Sequence, residues 1–367
     1  MAKPPVAQSQ PVSFWLVAPI IAALLVVVPI PGWVVEQFYS RGVYPQIEKW
    51  LTAGSNLVPF ALLDLFIILV LYFTLKRFMR LVSVARHESV MDALWEGVRR
   101  LGRAVSVIVI VFMVIWGLNY RRLTIEFNLH ANGNAPMTAE FLQGGISDAN
   151  ALATRLRLGT ATGEVLSFEE VARELKDPMN EALSQLDREP LGTTGRPKYS
   201  LLMTPFFTWT GVDGMINPLA LETIVQPDLL PFERPFVLGH EWAHLSGEAD
   251  EAEASAVGWL ACMHGPAQLA YSASLYLIME ARNALPPDRA QFVTSQLDPG
   301  VRSDLDAIAD RLKSRRPGME LAASRVYDQY LKANRIEDGT ASYGRAITLI
   351  LNAPFRDALS KYQFRRK

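Results

Sequence analysis

The chain has a single cysteine, Cys262, in 367 residues, so it closes no internal disulfide, and cysteine usage leaves its redox compartment open. Charge of one sign is also missing. The 36 Lys and Arg residues nearly balance 37 Asp and Glu, and a net charge of -1 gives no electrostatic footprint for nucleic acid. Histidine is scarce, with five in all. Internal repeats and low-complexity tracts are lacking, which excludes solenoids and biased linkers. Apolar residues make up 50% of the chain, enough at this length to bury a core.

Two of the five histidines fall in His240-Glu241-Trp242-Ala243-His244. Residues four apart share one helix face, about 5 to 6 Å apart at Cβ, so two neutral imidazoles there can grip one borderline-soft cation such as Zn2+. Glu241 is turned by roughly 100° from His240 and reaches a water on the metal rather than the metal, which makes it the candidate general base. The flanks suit a helix at about 235–247. Pro235 fits a first turn, Phe236 and Val237 give an apolar entry, and Gly247 offers a left-handed stop.

Catalytic zinc needs a third protein ligand and one open position. Asp250, Glu251, Glu253 and His264 are the candidates. Asp250 completes a spacing through Gly247 that resembles the metzincin pattern with Asp as third ligand, and His264 sits at a helix end where a capping role serves equally. Glu251 is preferred, because Ala254, Ser255, Gly258, Ala261 and Cys262 form a stripe of small residues on its face and let two helices approach closely. Glu253 lies about 200° away from Glu251 and is expected to face water. Glu251-Ala252-Glu253-Ala254-Ser255 also resembles the Glu-x-x-Ala-Asp signature of gluzincin membrane peptidases, whose first Glu is a ligand. Here Ser255 stands in place of the acid.

Three apolar runs dominate the first third: Val12 to Ile30, Leu57 to Leu75 with only Asp64 charged, and Ala104 to Tyr120. Their lengths predict transmembrane helices at about 12–30, 57–75 and 104–120, forming a three-helix anchor within a membrane region at 1–122. The first run ends in Val28-Pro29-Ile30-Pro31-Gly32 rather than a cleavage site, so it reads as an anchor and not a signal. Between the second and third runs stand Lys76, Arg77, Arg80, Arg86, Arg99, Arg100 and Arg103, against Arg41 and Lys49 in the first loop. The positive-inside rule then predicts a multi-pass protein of the cytoplasmic (inner) membrane with residues 123–367 on the extracytoplasmic side, although Arg121 and Arg122 run against it. Asp64 is expected to face protein or water.

After Ala131–Pro136 breaks the chain, Ser167 and Glu170 make a capping box that opens an amphipathic helix to about Arg188. Tyr199 to Pro227 is rich in aromatics, Thr and Gly, with a turn at Thr210–Gly214 and a strand at Leu221–Val225. A small sheet there predicts a mainly helical α+β zincin-like domain whose edge strand binds an extended peptide or serves as a structural hairpin. Several segments carry a wider resemblance: Trp33-Val34-Val35-Glu36, Tyr39 to Pro45, Trp116 to Arg122, Gly214 to Pro218, Tyr330 to Asn334 and Ser342-Tyr343-Gly344. They are similar to the bacterial membrane family catalogued as domain of unknown function 3810, whose two-His helix is followed by Glu-Asp-Glu-Ala-Asn. Ala252 and Ser255 depart from that pattern. The resemblance implies a membrane-anchored, zincin-like hydrolase.

The expected function is a zinc metallopeptidase: His240, His244 and Glu251 hold the metal, Glu241 activates water, and Tyr343 is the candidate oxyanion donor. The expected partners are the lipid bilayer and a peptide or protein substrate. A cell-wall peptide amidase shares every one of these residues. A membrane sensor or scaffold with structural zinc is the alternative of another class, and in it Glu241 is dispensable.

Overall fold

The computed structural model describes residues 14–87, 90–128, 137–160, 165–334, 336, 343–352 and 355–364. Helix α1 (Phe14–Val27) stops ahead of Pro29 and Pro31, which supply no backbone N–H. The short α2 (Gly32–Val34), a π-helical stretch Val35–Val43 and α3 (Tyr44–Asn56) continue as one path, bent by 110° from α1. Tyr44, Glu48, Thr52 and Ser55 recur at helical spacing along α3 and are buried, so that face packs on protein. Helices α4 (Leu62–His87) and α5 (Val90–Ile115) follow.

No single helix among the described residues is long and apolar enough to cross a membrane, which corrects the three-span anchor expected at 12–30, 57–75 and 104–120. Helix ends and charges account for this. At 1.5 Å per residue the described part of α1 measures about 21 Å, and the uncharged part of α4, between Asp64 and Lys76, about 16 Å. Helix α5 is free of charge only from Ala104 to Ile115, about 18 Å, before Trp116 leaves the helical region at φ -147. A hydrocarbon core is about 30 Å thick. One bent pair, Val17–Val27 with Gly32–Asn56, meets the length and composition of a span together. Large apolar side chains on α4 and α5 are exposed, Leu71, Phe78, Trp95 and Leu101 among them. Asp64 faces protein: it accepts hydrogen bonds from the Ser200 hydroxyl and from the backbone N–H of Leu201 and Leu202.

A 3-10 turn, Gly117–Arg121, leads through α6 (Ile125–Asn128) and α7 (Ala139–Thr160) to α8 (Phe168–Gln185), which opens with the Ser167–Glu170 capping box. Helix α9 (Thr204–Thr210) has Pro205 in its first turn and ends at Gly211, whose φ of +72 is left-handed. Strands β1 (Gly214–Asn217) and β2 (Glu222–Val225) pair antiparallel, Gly214 opposite Val225, and Lys198 bridges parallel to Ile224. This corrects the second part of the expected fold. The Thr- and aromatic-rich stretch before β1 is a proline-started helix, so the described residues are mostly helical and carry one hairpin of two four-residue strands rather than an α+β sheet domain.

The remaining helices are α10 (Arg234–Leu245), α11 (Glu251–His264), α12 (Ala267–Asn283), α13 (Pro287–Gln296), α14 (Pro299–Arg311), α15 (Pro317–Ala333), α16 (Tyr343–Leu351) and α17 (Phe355–Phe364). Helix α11 is the centre of the fold, buried from Glu251 to Met263 and packed against α8, α10, α12, α16 and α17. Its small-residue stripe is where α10 meets it. A Cβ on Gly258 would stand 2.6 Å from the His240 backbone nitrogen, and one on Gly239 3.1 Å from the Gly258 carbonyl oxygen. Tyr44 and Trp116 belong to the same core cluster as α7, α8 and α10 to α12.

Candidate metal centre

Helix α10 has Pro235 in its first turn and stops at Ser246; Gly247, with φ +94, then turns the chain. A side chain at Gly247 would also crowd Tyr44, Arg122 and Asn119 at 3.1 to 3.2 Å. The turn delivers Asp250 to the N-cap of α11, where its carboxylate accepts the N–H groups of Ala252 and Glu253 at 2.9 and 3.1 Å. The first residue inside α11 is Glu251, brought back alongside the two histidines.

His240, His244 and Glu251 converge. The two Nε2 atoms are 3.1 Å apart, and Glu251 Oε2 lies 3.3 Å from that of His240 and 3.5 Å from that of His244. Zinc with bonds of roughly 2.0 to 2.1 Å in tetrahedral geometry separates its ligand atoms by about 3.3 Å, so this donor set has the spacing and the chemistry of a zinc site. The other candidates are engaged elsewhere. Asp250 caps α11 and pairs with Arg345 at 2.7 Å; Glu253, expected to face water, is instead buried because α11 is packed on all sides, and it accepts the Ile125 N–H at 3.0 Å; His264 lies 3.1 Å from Glu181 and 2.9 Å from Gln185.

The outer nitrogens of both rings are held. His244 Nδ1 is 2.7 Å from the Glu248 carbonyl oxygen, which only accepts, so Nδ1 carries the hydrogen and Nε2 faces the other donors. His240 Nδ1 lies 3.2 Å from the Ser255 hydroxyl, which in turn reaches the Tyr276 phenol. Burial lowers the His240 pKa. For His244 burial acts the same way, yet Glu251 and Glu241 outweigh it and push the pKa up to about 9. Burial also works against ionised Glu251, but His244 and His240 hold its carboxyl well below the usual range.

Glu241 is buried, and burial pushes its pKa up to about 8 against the pull of His244. Its Oε1 lies against Gly214 of β1, while Oε2 is buried without a hydrogen-bond partner. A buried acceptor without a partner is a place where a water or an ion would bind.

Three features of the site were not anticipated from the sequence. Trp116 donates its indole N–H to the His244 carbonyl at 3.2 Å, and Tyr44 its hydroxyl to that of Leu245 at 2.7 Å, so both hold the end of α10. Behind the Glu248 carbonyl, Arg122 and Arg188 each pair with both Glu36 and Glu248 at 2.9 to 3.3 Å. Tyr327 on α15 donates to Glu251 Oε1. Tyr327 stacks on Tyr330, whose hydroxyl meets that of Tyr120 at 3.2 Å. The side chain of Tyr343, the expected donor, lies outside the described residues. Trp116, Tyr120 and Tyr330 stand in the segments that carry the family resemblance, which was the one available signal; Tyr327 had none.

No curated protein and no solved structure matches this chain. Residues 39–351, most of its length, match the family described as "Protein of unknown function (DUF3810)", and the chain belongs to that family.

Proposed function

We propose that this protein is a zinc-dependent metallopeptidase. One observation carries the proposal: three donors at zinc spacing stand beside a buried Glu241 oxygen that has no partner. A bound zinc would supply Lewis acidity, lowering the pKa of a coordinated water and drawing charge from the scissile carbonyl. A cation held by the three donors would offset the burial that raises the Glu241 pKa, and the ionised Glu241 would then accept the proton of the attacking water on Oε2. The water oxygen bonds to the carbonyl carbon, the C–N bond breaks, and the proton passes to the leaving nitrogen, so one peptide and one water become an acid and an amine. Strand β1 crosses Glu241 and pairs through one edge with β2, which supports binding of an extended peptide along its other edge.

Structural zinc sites are closed by four protein ligands, whereas among the described residues the converging donors are three, His240, His244 and Glu251. That count favours hydrolysis over a structural-zinc sensor. The amidase and peptidase readings share these residues and differ in substrate. We propose that the protein sits at the cytoplasmic membrane. The exposed apolar side chains of α4 and α5 support this location.

The test is Glu241→Gln, which keeps size and removes the base. Zinc content and helical signal should persist while peptide cleavage falls by about 10² to 10⁴. Full activity in a zinc-loaded Gln variant would leave the sensor as the better account.

A further inference from the structure

We infer that Tyr327 is a positioning residue that makes Glu251 a one-oxygen ligand and so preserves the open coordination position that hydrolysis needs. The inference rests on the zinc reading of the site. A carboxylate offers two oxygens, and when both bind a metal they take up two coordination positions. Here the two oxygens have different partners. Oε2 faces the Nε2 atoms of His240 and His244 at 3.3 and 3.5 Å, while Oε1 accepts the Tyr327 hydroxyl. A hydrogen bond to an ionised carboxylate is about twice as strong as one between neutral groups, so it holds Oε1 away from the metal position.

Tyr327 is itself held. Its ring stacks on Tyr330, with centroids 6.0 Å apart and planes 18° from parallel. The Tyr330 hydroxyl meets that of Tyr120, and the Tyr120 ring meets Trp116 edge-on at 5.1 Å. Trp116 donates to the His244 carbonyl, so the row of aromatics begins and ends on residues of the metal centre. Helix α15 otherwise packs chiefly on α9 and buries only Leu331. The phenol therefore ties α15 to the site.

The experiment replaces zinc with cobalt(II), whose visible absorption is strong in four-coordinate and weak in five-coordinate sites, in full-length wild type and Tyr327→Phe. The wild type should give the strong spectrum. Tyr327→Phe should still bind about one metal per chain, with a several-fold weaker spectrum, and kcat should fall with little change in KM. An unchanged spectrum in the Phe variant overturns the inference. Loss of metal from that variant also overturns it, because Tyr327 would then secure the ligand itself and not its mode of binding. X-ray absorption of wild-type zinc protein serves whether or not the variant folds: one carboxylate oxygen at about 2.0 to 2.2 Å is expected, and two overturn the inference. A wild type that binds no metal defeats the zinc reading instead.

Discussion

Gly214 and Glu241 are pressed together: a Cβ on Gly214 would stand 2.6 Å from Glu241 Oε1 and 2.9 Å from its Cγ. Strand β1 thus crosses the buried carboxylate with bare backbone, and either the strand or the acid must move if a methyl is added. Gly214→Ala should leave zinc content unchanged and lower the rate of peptide cleavage by about 10²-fold, the cost of misplacing a reacting group by roughly 1 Å. Metal analysis beside steady-state kinetics checks this. An unaltered rate would mean that Glu241 needs no such placement.

Gly258 tests the helix contact beneath the histidines. A Cβ there meets backbone atoms, the His240 nitrogen at 2.6 Å and the Gly239 carbonyl carbon at 2.8 Å, so no side-chain rotation relieves it. Gly258→Ala should push α10 off α11, cost about 1 to 3 kcal/mol of stability and weaken zinc binding. Urea unfolding and chelator competition measure the two effects. Retention of both would show that the helices separate without disturbing the ligands.

The ligand assignment predicts different outcomes for adjacent acids. Glu251→Ala should abolish stoichiometric zinc binding. Asp250→Ala removes a helix cap and the Arg345 pair, so it should cost about 1 kcal/mol or more while the metal stays. Selective loss of zinc from the Asp250 variant would instead support a metzincin-like arrangement.

Acid should weaken the fold through Glu36. Burial alone would raise its carboxyl, but Arg122, Arg188 and Arg41 hold it down at about 2, from an ordinary value of 4.5. A carboxyl depressed in the folded state contributes stability that is present above its unfolded pKa and is lost as pH falls through the folded one. Unfolding free energy should therefore decline between about pH 4.5 and pH 2, by about 3 kcal/mol from this group. Glu36→Gln should show a shallower decline over that window. An identical slope in the two proteins would assign the acid sensitivity elsewhere.

The gap between reading and structure is clearest along α4 and α5. The apolar runs at 57–75 and 104–120 were visible as composition, but composition does not locate helix ends. Asp64 and Lys76 bound the apolar part of α4, and the break at Trp116 cuts α5 short. Likewise, the Thr- and aromatic-rich stretch before β1 has β-type composition, yet Pro205 and Gly211 make Thr204–Thr210 a helix.

By itself the sequence determined what local geometry governs: a helix carrying His240 and His244 on one face with Glu241 beside them, the Ser167–Glu170 cap, and a small-residue face on α11. These depend on residues within a few positions of one another, where backbone periodicity sets direction. Only tertiary structure decided which of the neighbouring acids stands by the histidines, because that depends on the turn through Gly247 and the approach of Gly258 to α10. It likewise decided that Trp116 and Tyr327 hold the site. Their partners lie 128 and 76 positions away, and a contact at that distance is set by how helices pack rather than by any periodicity along the chain.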